Sequence, residues 1–225
     1  MTSGTRRVHL PRHTTPQEPL RTRLGELGVV RGGYVAPGAT IDQEDAGNPR
    51  ALQASDLAAD GSIAWDDLRF ARLTNGVERY SIREGDVLFP LRSARINAVV
   101  ATAVPFPVAA VGHWALVSVD PKMVDPHYLA WYFNHPTTSL RLNALSQGSN
   151  LKFISLGALR EFEIELPPLR MQHQLARVHA LHQRVAQLEK RLAYLRRQYI
   201  DTLTMNVLRR TFEPHADPES NGRND

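Results

Sequence analysis

Two polar loops carry the side chains best suited to a binding task. Arg92, Ser93, Arg95 and Asn97 cluster in one; Ser149, Asn150 and Lys152 follow Gly148 in the other. Arginine, lysine, serine and asparagine are the types that hydrogen-bond to base edges and phosphates, so the two loops are candidate DNA contacts, although any surface loop is also polar. Two other groupings suggest different chemistry. His179 and His182 stand three apart on one face of an expected helix and could supply two metal ligands. No aspartate, glutamate or cysteine at suitable spacing completes a site, so solvated helix histidines are the simpler reading and no metal is expected. Glu161, Glu163 and Glu165 alternate along an expected strand, which puts all three on one face. Neighbouring carboxylates can do acid–base work. A solvated face, or pairing with the arginines of the helix that follows, explains them as well.

The element that must organise these groups is the helix after Leu166-Pro167-Pro168-Leu169-Arg170-Met171-Gln172. Two prolines stop a strand, and no proline or glycine interrupts the chain from Leu169 to Arg210. Val178, Leu181, Val185, Leu188, Leu192, Leu195 and Tyr199 recur at alternating steps of three and four, a heptad seam narrower than the apolar face of a core helix. At about 1.5 Å per residue such a helix is roughly 60 Å long, more than a domain of this size needs over its own core. A narrow seam on a long helix implies a second helix beside it. The helix is also the basic part of the chain. Net charge is +4 over 225 residues, but Leu169–Arg210 carries nine Lys/Arg against Glu189 and Asp201. That face suits phosphates or an acidic protein, or simply keeps a coiled coil soluble.

The rest of the chain reads as one domain with an extension. The absence of cysteine excludes disulfides and thiolate metal sites and is compatible with a cytoplasmic protein. Arg6, Arg7 and Arg12 are followed by no apolar stretch, so no signal peptide is expected. Residues 1–19 read as a disordered arm and 212–225 as a disordered tail. Leu24 to Val30 leads into a Gly32-Gly33 turn, and Tyr34 to Pro49 has the composition of a loop. Ala51-Leu52 suggests a strand before a turn capped by Ser55 or Asp56, and Ile63 to Leu73 a strand and then a short helix. Glu84-Gly85-Asp86 supplies a tight turn before the strand Val87-Leu88-Phe89. Ala98 to Val119 is largely apolar, but its Pro105, Pro107, Gly112, His113 and valines favour buried strands over a membrane span. Asp125-Pro126 opens a helix with a dense aromatic face, a second short helix surrounds Ser139 to Leu145, Leu156 to Leu159 makes one turn, and Phe162 to Leu166 is the last strand. No glycine-rich nucleotide loop and no local Ser/His/Asp set occurs. Pro167-Pro168 lacks the polar and aromatic neighbours of the amino-methyltransferase motif.

Taken together the text resembles the specificity (S) subunit of Type I restriction–modification systems. The matching pieces are Leu24-Gly25-Glu26-Leu27 with Gly32-Gly33, Gly85-Asp86-Val87-Leu88-Phe89 with Arg92, Asp125-Pro126-His127-Tyr128-Leu129, Gly148-Ser149 before Ile154-Ser155, and Ile164-Glu165-Leu166-Pro167-Pro168-Leu169 with Gln172. Where the family has glutamate-glutamine after the prolines, this chain has Met171-Gln172. The resemblance implies an α+β fold: one globular target recognition domain over 20–168, with a mixed or antiparallel sheet and short helices, then a long coiled-coil spacer helix over 169–211. The family usually carries two such domains whose helices pair antiparallel; one of each here looks like a half-length form. Two copies would then pair as a homodimer through the seam and read a bipartite target on double-stranded DNA. The resemblance further implies a non-catalytic subunit with no cofactor of its own, a DNA methyltransferase (M) partner that binds S-adenosylmethionine, a restriction (R) subunit where the system has one, and no membrane. Two other classes remain open on the residues alone: a coiled-coil dimeric DNA-binding regulator unrelated to modification, and a small nuclease or hydrolase using the Glu161/Glu163/Glu165 face.

Overall fold

The computed structural model describes residues 20–35, 40–42, 48–58, 60–73, 76–93, 96–146 and 153–212. They fall into two compact units, the first ending at Ala176 and the second beginning at Arg177.

The first unit is built on a four-stranded antiparallel sheet ordered β2 (Gly28–Gly32), β9 (Trp114–Val119), β6 (Val87–Pro90), β7 (Val99–Val100). Side chains alternate across a strand, and here both faces are covered. Val87 and Phe89 of β6, with Ala115 and Val117 of β9, pack among Leu129 and Phe133 of α2 (Pro126–Asn134) and Leu159 of α4 (Leu156–Arg160); the short helices α1 (Val77–Tyr80) and α3 (Pro136–Ala144) belong to the same unit. Leu88, Trp114 and Leu116 point the other way, onto Leu52, Val108 and Ala110 of a second sheet. Burial on both faces is why these strands read as continuous apolar runs. The second sheet is mixed: β3 (Thr40–Asp42), β5 (Phe70–Arg72), β4 (Arg50–Leu52) and β8 (Val108–Ala110), with β4 and β8 parallel. A two-stranded antiparallel ribbon joins β1 (Leu20–Arg23) to β10 (Glu163–Leu166). A buried ion pair ties the central sheet together. Arg31 donates to Asp86 at 2.7 Å, and Asp86 also accepts from the Ser118 hydroxyl and the Arg83 N–H.

The Pro167-Pro168 junction roots the long helix, α5 (Leu169–Phe212). Proline offers carbonyls without an N–H, and both carbonyls are used. Pro168 O accepts from Met171 N and Gln172 N, and Pro167 O accepts from Gln172 Nε2 at 2.9 Å. Gln172 is 1% exposed. Its Nε2 also donates to Met123 O, and its Oε1 accepts from Asp125 N at 3.0 Å. Asp125 in turn is the N-cap of α2, its carboxylate accepting from His127 N and Tyr128 N, with Pro126 in the first turn.

Several local expectations change. Within Ile63–Leu73 the order is reversed: a short 3-10 turn at Trp65–Asp67 precedes strand β5. Arg50 holds that turn by donating to the carbonyls of Trp65, Asp66 and Leu68, a tertiary contact that local pattern does not show. Thr40–Asp42 is a strand inside the expected loop. Asp56 caps backwards, accepting from Gln53 N at 2.8 Å. The one expected sheet is three. Glu161 ends α4 and lies outside β10, so only Glu163 and Glu165 share a strand.

In the second unit the helix continues from Arg177, and the seven seam residues are 45% to 66% exposed. Past Tyr199 the heptad positions turn polar (Thr202, Asn206), while Ile200, Leu203 and Val207 lie on a neighbouring face and are also exposed. Among the described residues no helix is long and apolar enough to cross a membrane.

Replacing Gln172 with leucine keeps the bulk and removes three hydrogen bonds. The expected loss of stability is about 3 kcal/mol, from one N–H and two carbonyls left without partners. Urea unfolding of the full chain measures it, and a loss below the error of the method would remove Gln172 from this role.

Candidate nucleic-acid interface

The Arg92–Asn97 loop leaves β6 at Leu91, and that exit is laced to two other segments. Leu91 N donates to His113 O at 2.8 Å, and Leu91 O accepts from Ile154 N at 2.9 Å. Arg92 pairs antiparallel with Phe153, the residue that ends the second polar loop. The structure thus brings together the start of one candidate loop and the end of the other, 61 residues apart in sequence. After Phe153 the chain is fixed at once: Ile154 is buried, and Ser155 caps α4 by accepting from Ala158 N. The far end of the first loop is fixed by Asn134, at the end of α2. Its side chain accepts from Ala98 N and donates to Ala98 O, both at 2.7 Å.

Of the expected contact residues, Arg92 is exposed, Ser93 half-buried, and Asn97 half-buried with its amide donating to Ala58 O at 3.3 Å. Arg95, Ser149, Asn150 and Lys152 lie outside the described residues. Two residues that the sequence did not single out as contacts belong to this region. Asn134 is one. The other is His113, on the turn between β8 and β9, whose ring meets that of Phe153 edge-on at 5.5 Å between centroids. No local signal marks either, because each acts across the fold.

The β8–β9 turn depends on glycine at two places. Gly112 has φ +104°, a conformation that side-chain-bearing residues rarely adopt. Gly33 is a point of close approach; a Cβ there would stand 2.6 Å from the Gly112 carbonyl oxygen. The expected Gly32-Gly33 turn is therefore the end of β2 passing against the β8–β9 turn, held by Gly33 N donating to Trp114 O and Gly112 N to Tyr34 O.

Two of the three alternating glutamates are ion-paired. Glu165 pairs with Arg21 at 3.1 Å and Glu161 with Arg23 at 3.4 Å, so their partners are arginines of β1, and those of the helix that follows are not needed. These pairs are exposed and contribute up to about 1 kcal/mol each. Behind them Tyr128 donates its hydroxyl to Glu165 O, and burial first, then Tyr132 and Glu165, pushes its pKa well above the ordinary phenol value. The hydroxyl is a fixed donor. His179 has its pKa lowered by partial burial and by His182 beside it. Among the described residues no three His, Cys, Asp or Glu side chains converge as metal ligands.

Comparison with known proteins bears on this arrangement. Curated sequences give no match. Among solved structures, the HsdS subunit from Thermoanaerobacter tengcongensis is similar in fold, with a TM-score of 0.57 at 21% identity over 80% of this chain and 41% of that one. A chain from a type I R-M system, in a structure concerned with complex assembly and conformational transition, gives a TM-score of 0.63 at 18% identity over 91% of this chain and 48% of that one. This chain therefore spans less than half the length of either. A family model for the Type I restriction modification DNA specificity domain matches residues 51–193, from β4 through the polar loops and into the heptad seam. By that match, which covers more than half of the sequence, the chain belongs to the Type I restriction–modification DNA specificity family.

Proposed function

We propose that the chain is the sequence-recognition subunit of a Type I modification complex, without catalysis of its own. Residues 20–168 serve as the target recognition domain, and residues 169–211 serve as spacer and assembly arm. The observation that carries this reading is that one family match runs without a break from the globular unit into a helix whose apolar seam is half-exposed along its length. Seven exposed apolar side chains in a heptad pattern need a helical partner. A second copy, paired antiparallel about a twofold axis, supplies one and sets two recognition domains on one duplex. The target is then two inverted identical half-sites with a fixed spacer. Arg92 contacts DNA from the rim of the laced loops, Arg95 and Lys152 are further contacts, and Ser93, Asn97, Ser149 and Asn150 are secondary ones. A methyltransferase subunit carries S-adenosylmethionine and the chemistry, a restriction subunit joins where the system has one, and the assembly works in the cytoplasm.

Co-expression with a Type I methyltransferase subunit, followed by methylome sequencing, is expected to show one methylated bipartite motif with inverted halves; no new methylation sinks the reading. The pairing has its own test. Leu188→Asp with Leu192→Asp is expected to abolish self-association, read by light scattering. The wild-type oligomer persisting would show that the seam is no self-interface. Arg92→Ala is expected to weaken binding to the methylated motif's unmodified duplex by about 1–3 kcal/mol if it reads a base. Unchanged titration curves would remove it from the contact set.

A further inference from the structure

We propose that His113 is a third recognition element, a specificity-determining side chain that reads a base edge between the two polar loops. The inference rests on the DNA-recognition reading above and adds a residue from a part of the chain with no polar cluster of its own. Three observations carry it. First, position: the backbone of His113 is bonded to Leu91, at the root of one loop, and its ring lies against Phe153, at the end of the other. Second, rigidity: the turn is fixed by the positive φ of Gly112, by Gly112 N donating to Tyr34 O, by Trp114 N donating to Gly112 O, and by the close passage of Gly33. A side chain on so constrained a turn is held in one place before any ligand arrives, which is what discrimination requires. Third, chemistry: the ring is half-exposed, and no described residue hydrogen-bonds to its nitrogens. A neutral imidazole offers one donor and one acceptor, which suits the edge of a base pair in the major groove. Phe153 acts through it as a positioning residue. Its ring sets the plane of the imidazole, and its backbone joins the same side to Arg92, whose guanidinium is exposed there.

The test is selection from a library of randomised DNA duplexes by the full-length chain, wild type against His113→Ala and His113→Leu. Both variants keep the backbone bond from Leu91 to position 113. Leucine also keeps apolar bulk against Phe153, so it carries the test if alanine loosens the turn and lowers the melting temperature. The expected result is the wild-type motif with preference lost at one or two adjacent base pairs. Affinity for the wild-type motif should fall about tenfold or more, with binding to an unrelated duplex unchanged. The proposal is overturned if the variants select the same motif with the same preference at every position, or if affinity falls equally for motif and unrelated duplex. A wild-type chain that enriches no motif removes the underlying DNA-recognition reading, a different failure from a wild-type motif that His113 does not influence.

Discussion

The buried amide of Gln172 is the interaction on which the organisation of the first unit turns. One side chain meets three backbone groups: the carbonyl of Pro167 at the end of the last strand, the carbonyl of Met123, and the N–H of Asp125 at the head of α2. An amide is the group for this place, since it donates twice and accepts on the same short side chain. A glutamate would lose the donors, and a leucine would lose everything. The constraint also explains the prolines before it. Their carbonyls are left free to receive the first N–H groups of α5 and the Gln172 amide, while their missing N–H groups end β10. The junction text thus encodes a bond pattern, and Met171 can stand where the family has glutamate because that position is half-exposed while Gln172 is not.

A similar division between frame and variable part runs through the candidate interface. The frame is two backbone bonds, Leu91 to His113 and Ile154 to Leu91, and the Asn134 side-chain amide on the Ala98 backbone. It holds the described loop ends, and between them Arg92 stands exposed while Ile96 packs on the core and Asn97 donates to Ala58 O. Such a construction lets side chains in the loops change while the sheet beneath them, covered on both faces, keeps its register. The buried Arg31–Asp86 pair lies in that sheet, where removing either partner would strand a charge.

Much of this was legible in the sequence. Continuous apolar runs marked β6 and β9, the aspartate-proline pair marked α2, and three-four spacing marked the seam, because each signal is local and its physical cause lies within a few residues. What escaped was non-local. The 3-10 turn at Trp65–Asp67 exists because Arg50 gathers its carbonyls from another strand, and β3 forms only because β5 offers it an edge. Glu161, Glu163 and Glu165 alternated in the text, but α4 ends at Arg160 and takes Glu161 out of the strand. His113 and Asn134 carried no motif; their place follows from which segments the fold lays side by side. Gln172 was visible as a position and invisible as chemistry.

The rooting of α5 has a kinetic consequence. Starting a helix in water is the unfavourable step, with a nucleation parameter of order 10⁻³, equivalent to about 4 kcal/mol. In this chain the first turns are set by Pro167, Pro168 and Gln172 as part of the first unit's own folding. Growth beyond Arg177 then adds one hydrogen bond for each residue ordered. A partner approaching the seam meets side chains already in helical array and need not wait for the helix to begin. The rate of encounter is then governed by diffusion and orientation, and the lifetime of the complex by how well the seam is filled.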